Sequence, residues 1–147
     1  MRIARVAPAE FAAIDPLRRA LWPDIPIEEL TAIAATHPDY LVLAAFDSGE
    51  PVGFAEVSLR RDYVNGCDTS PVAFLEGIYV APDQRKRGIA RALVDAALDW
   101  ARERGIGEFA SDALLENHAS HAFHAAIGFE EVERVVYFRR ALAEAAA

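Results

Sequence analysis

The sequence predicts a single α/β domain built on a mixed β-sheet. Its 147 residues, 53% of them hydrophobic, are enough for one well-buried core and too few for two ordinary domains. Helix and strand patterns follow one another in the order βααβββαβαβ. In the middle, an apolar strand precedes a basic turn and an amphipathic helix. We therefore expect one domain over residues 1–147, without a repeat or an internal linker.

The first elements of the chain are short. Residues 2–6 mix apolar residues with two arginines, which favours a first strand. Apolar residues recur at helical spacing over residues 8–21, and Pro16 is expected to break or kink that helix. Residues 27–35 have one apolar side, which predicts a second short helix.

A hairpin and a loop are predicted next. Residues 40–46 and 52–59 have the pattern of strands, and the Asp-Ser-Gly-Glu string at 47–50 has the composition of a turn. The Asn-Gly pair at 65–66 indicates a loop, which we expect over residues 60–70.

The central unit starts at Phe74. Residues Phe74 to Val80 form an apolar run interrupted by Glu76 and Gly77, which predicts a buried strand with a bulge at the glycine. The next helix ends at Gly105. Its apolar side consists of Ile89, Leu93, Ala97, Trp100 and Ala101.

The chain then closes with short elements. Residues 109–111 predict a short strand, residues 117–127 a helix that ends at Gly128, and residues 132–138 a final strand. The tail, residues 141–147, is expected to be frayed.

The turn after the central strand is basic. Arg85, Lys86 and Arg87 precede Gly88, where unpaired backbone N–H groups and the positive end of the helix dipole converge. Such a turn is suited to an anion such as a phosphate ester, and a large side chain at Gly88 or Ala90 would obstruct it. The common nucleotide-binding loops, G-x-x-x-x-G-K-[ST] and G-x-G-x-x-G after a strand, do not fit.

Composition argues against several other functions. The net charge of −8 disfavours nucleic acid as a partner and either attracts a cationic substrate or only keeps the protein in solution. No apolar run is long enough for a membrane span, and no signal core opens the chain, so a cytoplasmic protein is expected. Cys67 is the one cysteine, and no carboxylate or thiol completes a set with His118, His121 and His124, so we expect no metal.

Two motifs resemble the GNAT superfamily of N-acetyltransferases. Arg85, Gly88 and Ala90 match its R/Q-x-x-G-x-G/A signature, and residues 117–129 are similar to its N-x-x-A-x-x-L-Y-x-x-x-G-F segment, with His124 in place of the tyrosine. The resemblance implies a mostly antiparallel sheet flanked by about four helices, acetyl-coenzyme A as co-substrate and a homodimer. The implied cofactor-binding residues are Ile78, Tyr79, Val80, Arg85, Lys86, Arg87, Gly88, Ile89, Ala90 and Asn117.

Longer strings resemble the bacterial aminoglycoside 6′-N-acetyltransferases. They are residues 62–66, 69–72, 74–80, 109–112 and 135–138, so the resemblance extends over nearly the whole chain. It implies antibiotic resistance through direct transfer of acetyl to the 6′-amine within a ternary complex. The residues implied to line the antibiotic site are Trp22, Tyr63, Glu76, Asp112 and Glu133.

The reaction gives the candidate catalytic residues an independent rationale. The attacking amine must lose a proton, and Glu76 in its apolar strand is a candidate base if desolvation shifts its ionisation. Glu76 also fits a carboxylate at a strand edge that is paired with an arginine. Asp112 follows a strand end, where open sheets meet their ligands, or it caps the next turn. His124 can protonate the departing thiolate, or it only packs.

The aromatic and acidic residues of the antibiotic site each fit two roles. Trp22 and Tyr63 fit either ligand-facing rings or core aromatics, and Glu133 also fits a solvated edge. A covalent route through Cys67 is the less favoured mechanism, because no histidine lies beside it in the sequence. The rival functions are acetylation of another amine, such as a polyamine or a protein N-terminus, and binding of coenzyme A without catalysis.

Overall fold

The computed structural model describes residues 1–143, which form a five-stranded sheet with helices on both faces. The strand order is β1-β2-β3-β4-β5; the first three pairs are antiparallel and the last, β4 with β5, is parallel. This confirms the mixed, mostly antiparallel sheet. The strands are β1 (Arg2–Arg5), β2 (Leu41–Asp47), β3 (Glu50–Arg60), β4 (Val72–Val80) and β5 (Phe109–Ser111).

Four α-helices flank the sheet within residues 1–143, as the resemblance implied. They are α1 (Asp15–Leu21), α2 (Ile27–Thr36), α3 (Ile89–Glu103) and α4 (His118–Ala126), with 3₁₀ turns at Pro8–Ile14 and Pro82–Gln84. The predicted break at Pro16 is confirmed, because the 3₁₀ turn ends at Ile14 and the proline occupies the second position of α1. A proline is tolerated there, since its missing N–H would have no helical partner.

Two apolar cores lie on opposite faces of the sheet. On one face, α3 buries its predicted apolar side against the strands. On the other, α1, α2 and the first 3₁₀ turn cover Val42, Ala44 and Phe54. Side chains alternate between the two faces along each strand, so β3 contributes Ala55 and Val57 to the first core and Phe54 to the second.

Backbone geometry confirms the predicted hairpin and the bulge. Ser48 and Gly49 connect β2 to β3 with positive φ angles of 53° and 82°, the handedness that a two-residue hairpin turn requires. In the β3–β4 pair, Glu56 lies opposite Gly77 and Val57 opposite Leu75. Glu76 is therefore the extra residue of a β-bulge.

The predicted final strand is wrong for this chain. Residues 132–138 have no strand assignment, and Val136, Tyr137 and Phe138 are 74%, 85% and 91% exposed. The composition of the segment favours a strand, but a β-strand needs an adjacent strand to share its backbone hydrogen bonds. No strand lies beside this segment within residues 1–143. Residues 141–143 of the expected frayed tail have neither helix nor strand, and residues 144–147 lie outside the described part.

Arg60 ends β3, whereas the sequence pattern had placed it at the start of the following loop. That loop begins with Arg61 and ends where β4 begins.

No helix within residues 1–143 combines the length and the apolar character that crossing a bilayer requires. The same stretch contains no group of three or more His, Cys, Asp or Glu side chains arranged to hold a metal ion.

Candidate active site

The bulge in β4 places Glu76 among polar partners. Arg60 donates from Nη2 to Oε1 at 2.8 Å and from Nε to Oε2 at 3.0 Å, and the Ser58 hydroxyl donates to Oε2 at 2.5 Å. The sequence left two environments open for Glu76, a desolvated carboxylate in an apolar strand and a carboxylate at a strand edge that is paired with an arginine. In the structure, the Glu76 carboxylate is paired with the Arg60 guanidinium.

Arg60 connects this carboxylate to a wider acidic surface. Its hydrogen bonds to Glu76 raise the pKa of Arg60, and the charges of Glu76, Asp112 and Tyr137 act in the same direction. The guanidinium also lies over the Phe74 ring, 3.5 Å from the centroid. Arg60 is therefore a fixed cation between Glu76 and the exposed Asp112.

Trp22 lies directly against the bulge. A Cβ atom built on Gly77 would lie 2.2 Å from Trp22 Cζ2, so only glycine leaves room for the indole. The ring also meets Phe54 edge to face, with centroids 5.9 Å apart. The indole is half-buried and forms an aromatic wall beside Glu76.

The far half of β4 borders a cavity. Parallel pairing with β5 stops at Leu75 and Ser111, and β4 continues to Val80 with no strand beside it on that edge in the described chain. A cavity of about 370 Å³ opens there. It is lined by Ile78, Tyr79, Val80, Gln84, Arg85, Lys86, Gly88, Ile89, Ala90, Arg91 and Phe123. Eight of the ten predicted cofactor-binding residues thus surround one cavity.

The basic turn presents backbone at the start of α3. Gly88 is the residue before the helix and has a φ of 77°, and Lys86 also has a positive φ, of 65°. The Arg85 Nε donates to the Val80 carbonyl at 2.8 Å, which ties the turn to β4. Ile89 is 2% exposed and packs in the core, so only its backbone is available to a ligand.

The other two predicted cofactor residues have partners within the protein. Arg87 lies outside the cavity lining and pairs with Asp47 at 3.1 Å. Asn117 caps α4, because its Oδ1 accepts the backbone N–H of Ser120 at 3.1 Å.

His124 lies between α4 and β5. Its Nδ1 is 2.7 Å from the Ser120 carbonyl, so this nitrogen donates, and its Nε2 lies 2.8 Å from the Ser111 hydroxyl. The preceding residue, Phe123, lines the cavity. The structure thus brings His124 to the point where β4 and β5 separate.

Tyr63 and Glu133 lie on two segments that contact each other. Tyr63 is 74% exposed, and its hydroxyl accepts the backbone N–H of Gly66 at 3.4 Å. A Cβ built on Gly66 would lie 2.2 Å from a methyl group of Val132 and 3.7 Å from the Cβ of Glu133. The loop that carries Tyr63 is therefore packed against the C-terminal segment.

Glu108 holds the end of this loop. One carboxylate oxygen accepts the backbone N–H groups of Asp68 and Thr69, at 2.9 and 2.7 Å, and also the Thr69 hydroxyl. The Thr69 hydroxyl and these N–H groups lower the pKa of Glu108. Burial and the Glu108 carboxylate raise the pKa of Cys67, the neighbouring thiol. A thiolate at Cys67 is therefore disfavoured.

Sequence reasoning missed several residues around the site. Arg60 and Ser58 contact Glu76, while Arg18 and Glu56 form a buried ion pair beside Trp22. The one available signal is alternation: residues 56, 58 and 60 are polar in an otherwise apolar strand and share a face.

Known proteins resemble the whole chain. It is 51% identical over 142 residues to an aminoglycoside N(6′)-acetyltransferase type 1 of Stenotrophomonas maltophilia, covering 95% of this chain and 93% of that protein. An enzyme of the same name from Acinetobacter baumannii is 43% identical over 143 residues, covering 95% and 98%. The structure of AAC(6′)-Iy with the bisubstrate analogue CoA-S-monomethyl-acetylneamine superposes with a TM-score of 0.89, at 39% identity, and covers 96% of this chain and 98% of that one.

The family is established by a match over most of the chain. Residues 9–129 match the acetyltransferase (GNAT) family. That range contains the basic turn, the cavity beside β4 and the helix of His124. The chain belongs to the acetyltransferase (GNAT) family.

Proposed function

We propose that the protein is an aminoglycoside 6′-N-acetyltransferase that takes acetyl from acetyl-coenzyme A. One observation carries the proposal: the cofactor cavity and the Trp22–Glu76 surface adjoin along β4, so the two substrates can meet at the bulge. The names of the relatives and the bisubstrate complex of AAC(6′)-Iy support the same reaction.

Acetyl-coenzyme A would lie along the free edge of β4. The backbone of Ile78 to Val80 offers hydrogen-bonding groups to the amides of its pantetheine arm, in the way that a neighbouring strand would. Its pyrophosphate would lie at the N-terminus of α3, near Arg85 and Lys86. Asn117 would contribute through its amide NH₂, because its Oδ1 already caps α4.

In the proposed reaction, the 6′-amine nitrogen attacks the thioester carbonyl, the C–S bond breaks, and coenzyme A leaves as a thiolate that takes up a proton. Glu76 would receive the amine proton, directly or through water. Its Oε1 accepts one hydrogen bond from Arg60, whereas Oε2 accepts two, so Oε1 retains more capacity for a new donor. His124 lies where β4 and β5 separate, and it would protonate the thiolate as an imidazolium, from Nε2, because the Nδ1 proton is donated to the Ser120 carbonyl.

The antibiotic would bind on the acidic and aromatic side of the bulge. Asp112 and Glu133 would receive its ammonium groups, and Trp22 and Tyr63 would provide flat walls for its sugar rings. Direct transfer in a ternary complex is favoured over an acetyl-cysteine, because the raised pKa of Cys67 reduces the thiolate that a covalent route needs.

Mass spectrometry after incubation with acetyl-coenzyme A tests the function. We expect kanamycin-type substrates to gain one acetyl group, with release of one free thiol, and 6′-hydroxy analogues to remain unmodified. Turnover only with polyamines or protein N-termini would overturn the aminoglycoside as the substrate, but acetyl transfer would remain the reaction. Tight cofactor binding without turnover of any amine would contradict an enzymatic role.

We also propose a cytoplasmic homodimer. The C-terminal segment, residues 132–142, exposes Val136, Tyr137, Phe138 and Leu142, each at least 74% accessible. Val136, Tyr137 and Phe138 are consecutive, and exposed apolar side chains grouped in this way are typical of a protein interface. A second copy of the chain would cover these apolar side chains. The cytoplasm is the bacterial compartment that holds acetyl-coenzyme A.

A further inference from the structure

A buried ion pair lies under the candidate aminoglycoside site. Arg18 in α1 is 3% exposed and Glu56 in β3 is fully buried; they are the buried charged side chains of residues 1–143. Arg18 donates to Glu56 from both Nε and Nη2, the latter at 3.2 Å, and the Tyr40 hydroxyl donates to Oε1 at 2.7 Å. Burial and the Glu56 charge raise the pKa of Tyr40, so it remains a donor.

A gain in folding stability does not by itself explain why this ion pair is buried. The cost of removing two charges from water roughly cancels their attraction, and apolar replacements of equal volume are often as stable. In addition, Arg18 Nη1 has no hydrogen-bond partner within residues 1–143. A buried arginine with this cost is better explained by the group that its guanidinium orients.

The group that it orients is the indole of Trp22. The guanidinium carbon lies 5.0 Å from the centre of that ring, and two hydrogen bonds to Glu56 fix its plane. Phe54 meets the ring edge to face, and the backbone of Gly77 also lies against it. Trp22 is thus held between a fixed cation, an aromatic edge and a strand.

Strand register couples this arrangement to Glu76. Glu56 lies opposite Gly77 across the β3–β4 pair, so both face the side of the sheet that α1 covers. Gly77 follows the bulged Glu76. Displacement of the indole would therefore change the aromatic wall and the backbone beside Glu76 together.

We propose that Arg18 is a positioning residue for the aminoglycoside site, which holds Trp22 against Gly77 through its buried pair with Glu56. This inference rests on the proposed function at one point, because it takes Trp22 as a wall of the aminoglycoside site. Arg18 itself does not touch the substrate.

The main test removes both charges at once. Arg18→Met alone would leave the Glu56 carboxylate buried and unpaired, whereas Arg18→Met with Glu56→Gln removes the pair and keeps an acceptor for Tyr40. We expect the KM for kanamycin to rise about 10- to 100-fold, the effect of misplacing a binding group by about 1 Å. The KM for acetyl-coenzyme A should change less than about twofold, because that cavity borders other residues.

Tryptophan fluorescence supplies a readout independent of turnover. The chain has two tryptophans, so a Trp100→Phe background leaves Trp22 alone. We expect its emission to shift to longer wavelength in the double variant as water reaches the ring. Arg18→Lys is the second variant, because it keeps a charge for Glu56 but loses the planar fork, and it should shift the emission without unfolding the protein.

Arg19→Met is the matched control on the same helix, since Arg19 is largely exposed and, among residues 1–143, pairs only with Asp15. It should leave both KM values and the emission unchanged. A folded double variant, or a folded Arg18→Lys, with wild-type emission and wild-type kanamycin KM would overturn the proposal. Failure of the wild-type enzyme to acetylate any aminoglycoside would instead overturn the proposed substrate, and the emission would still test the role of Arg18.

Discussion

At the scale of single residues, Glu76 is the most informative position. Glu76→Gln keeps the shape and removes the proton acceptor, so kcat should fall about 10²- to 10⁴-fold while acetyl-coenzyme A still binds. The acidic limb of the pH–rate profile should change, and activity should recover at high pH as the free amine becomes abundant. Steady-state kinetics from about pH 5 to about pH 10 provide the measurement.

The ion pair with Arg60 calls for its own control. Arg60→Gln breaks the same contact and keeps the carboxylate, so it should reduce kcat much less than Glu76→Gln does. Equal losses in both variants would mean that the ion pair, and not proton removal, matters. Wild-type kcat and an unchanged acidic limb in Glu76→Gln would exclude Glu76 as the base and make Asp112, acting through water, the next candidate.

At the scale of elements, the start of α3 decides cofactor binding. Gly88 has a φ of 77°, and a Cβ there would meet no atom of the described residues within 4 Å, so Gly88→Val strains the turn without a steric clash. Strain of about 1–3 kcal/mol in the cofactor loop should weaken acetyl-coenzyme A binding up to about 100-fold. Isothermal titration calorimetry measures the affinity, and thermal unfolding reports whether the fold survives.

Gly105 offers a matched control at the other end of the same helix. It has a φ of 70° and equally open surroundings, but it lies outside the cavity lining. Gly105→Val should cost similar stability and leave the cofactor affinity unchanged. If the two variants bind acetyl-coenzyme A equally well, the basic turn is not the phosphate site.

At the scale of the whole molecule, the C-terminal segment should govern assembly. Light scattering coupled to size-exclusion chromatography should give the mass of two chains for the wild type. Val136→Lys with Phe138→Lys places two charges on the exposed apolar segment and should give one chain. Leu114→Lys with Leu115→Lys is the control, because both leucines are exposed outside the segment. A monomeric wild type, or a dimer that persists in the segment variant, would refute the proposed interface.

Elements with a local signal were predictable from the amino-acid sequence. The apolar side of α3, the turn at residues 47–50 and the bulge beside Gly77 follow from spacing and from glycine chemistry within a few residues. The basic turn is equally local, and most of its predicted residues surround one cavity. Family membership followed from these same short motifs.

Contacts between distant side chains depended on the tertiary fold. Arg60 and Glu76 are 16 residues apart, and Arg18 and Glu56 are 38 apart, and periodicity gives the face of a residue but not its partner on another element. The final strand failed for the same physical reason. Its composition favours an extended chain, but a strand forms only where a neighbour accepts its hydrogen bonds, and residues 132–138 have none within the described chain.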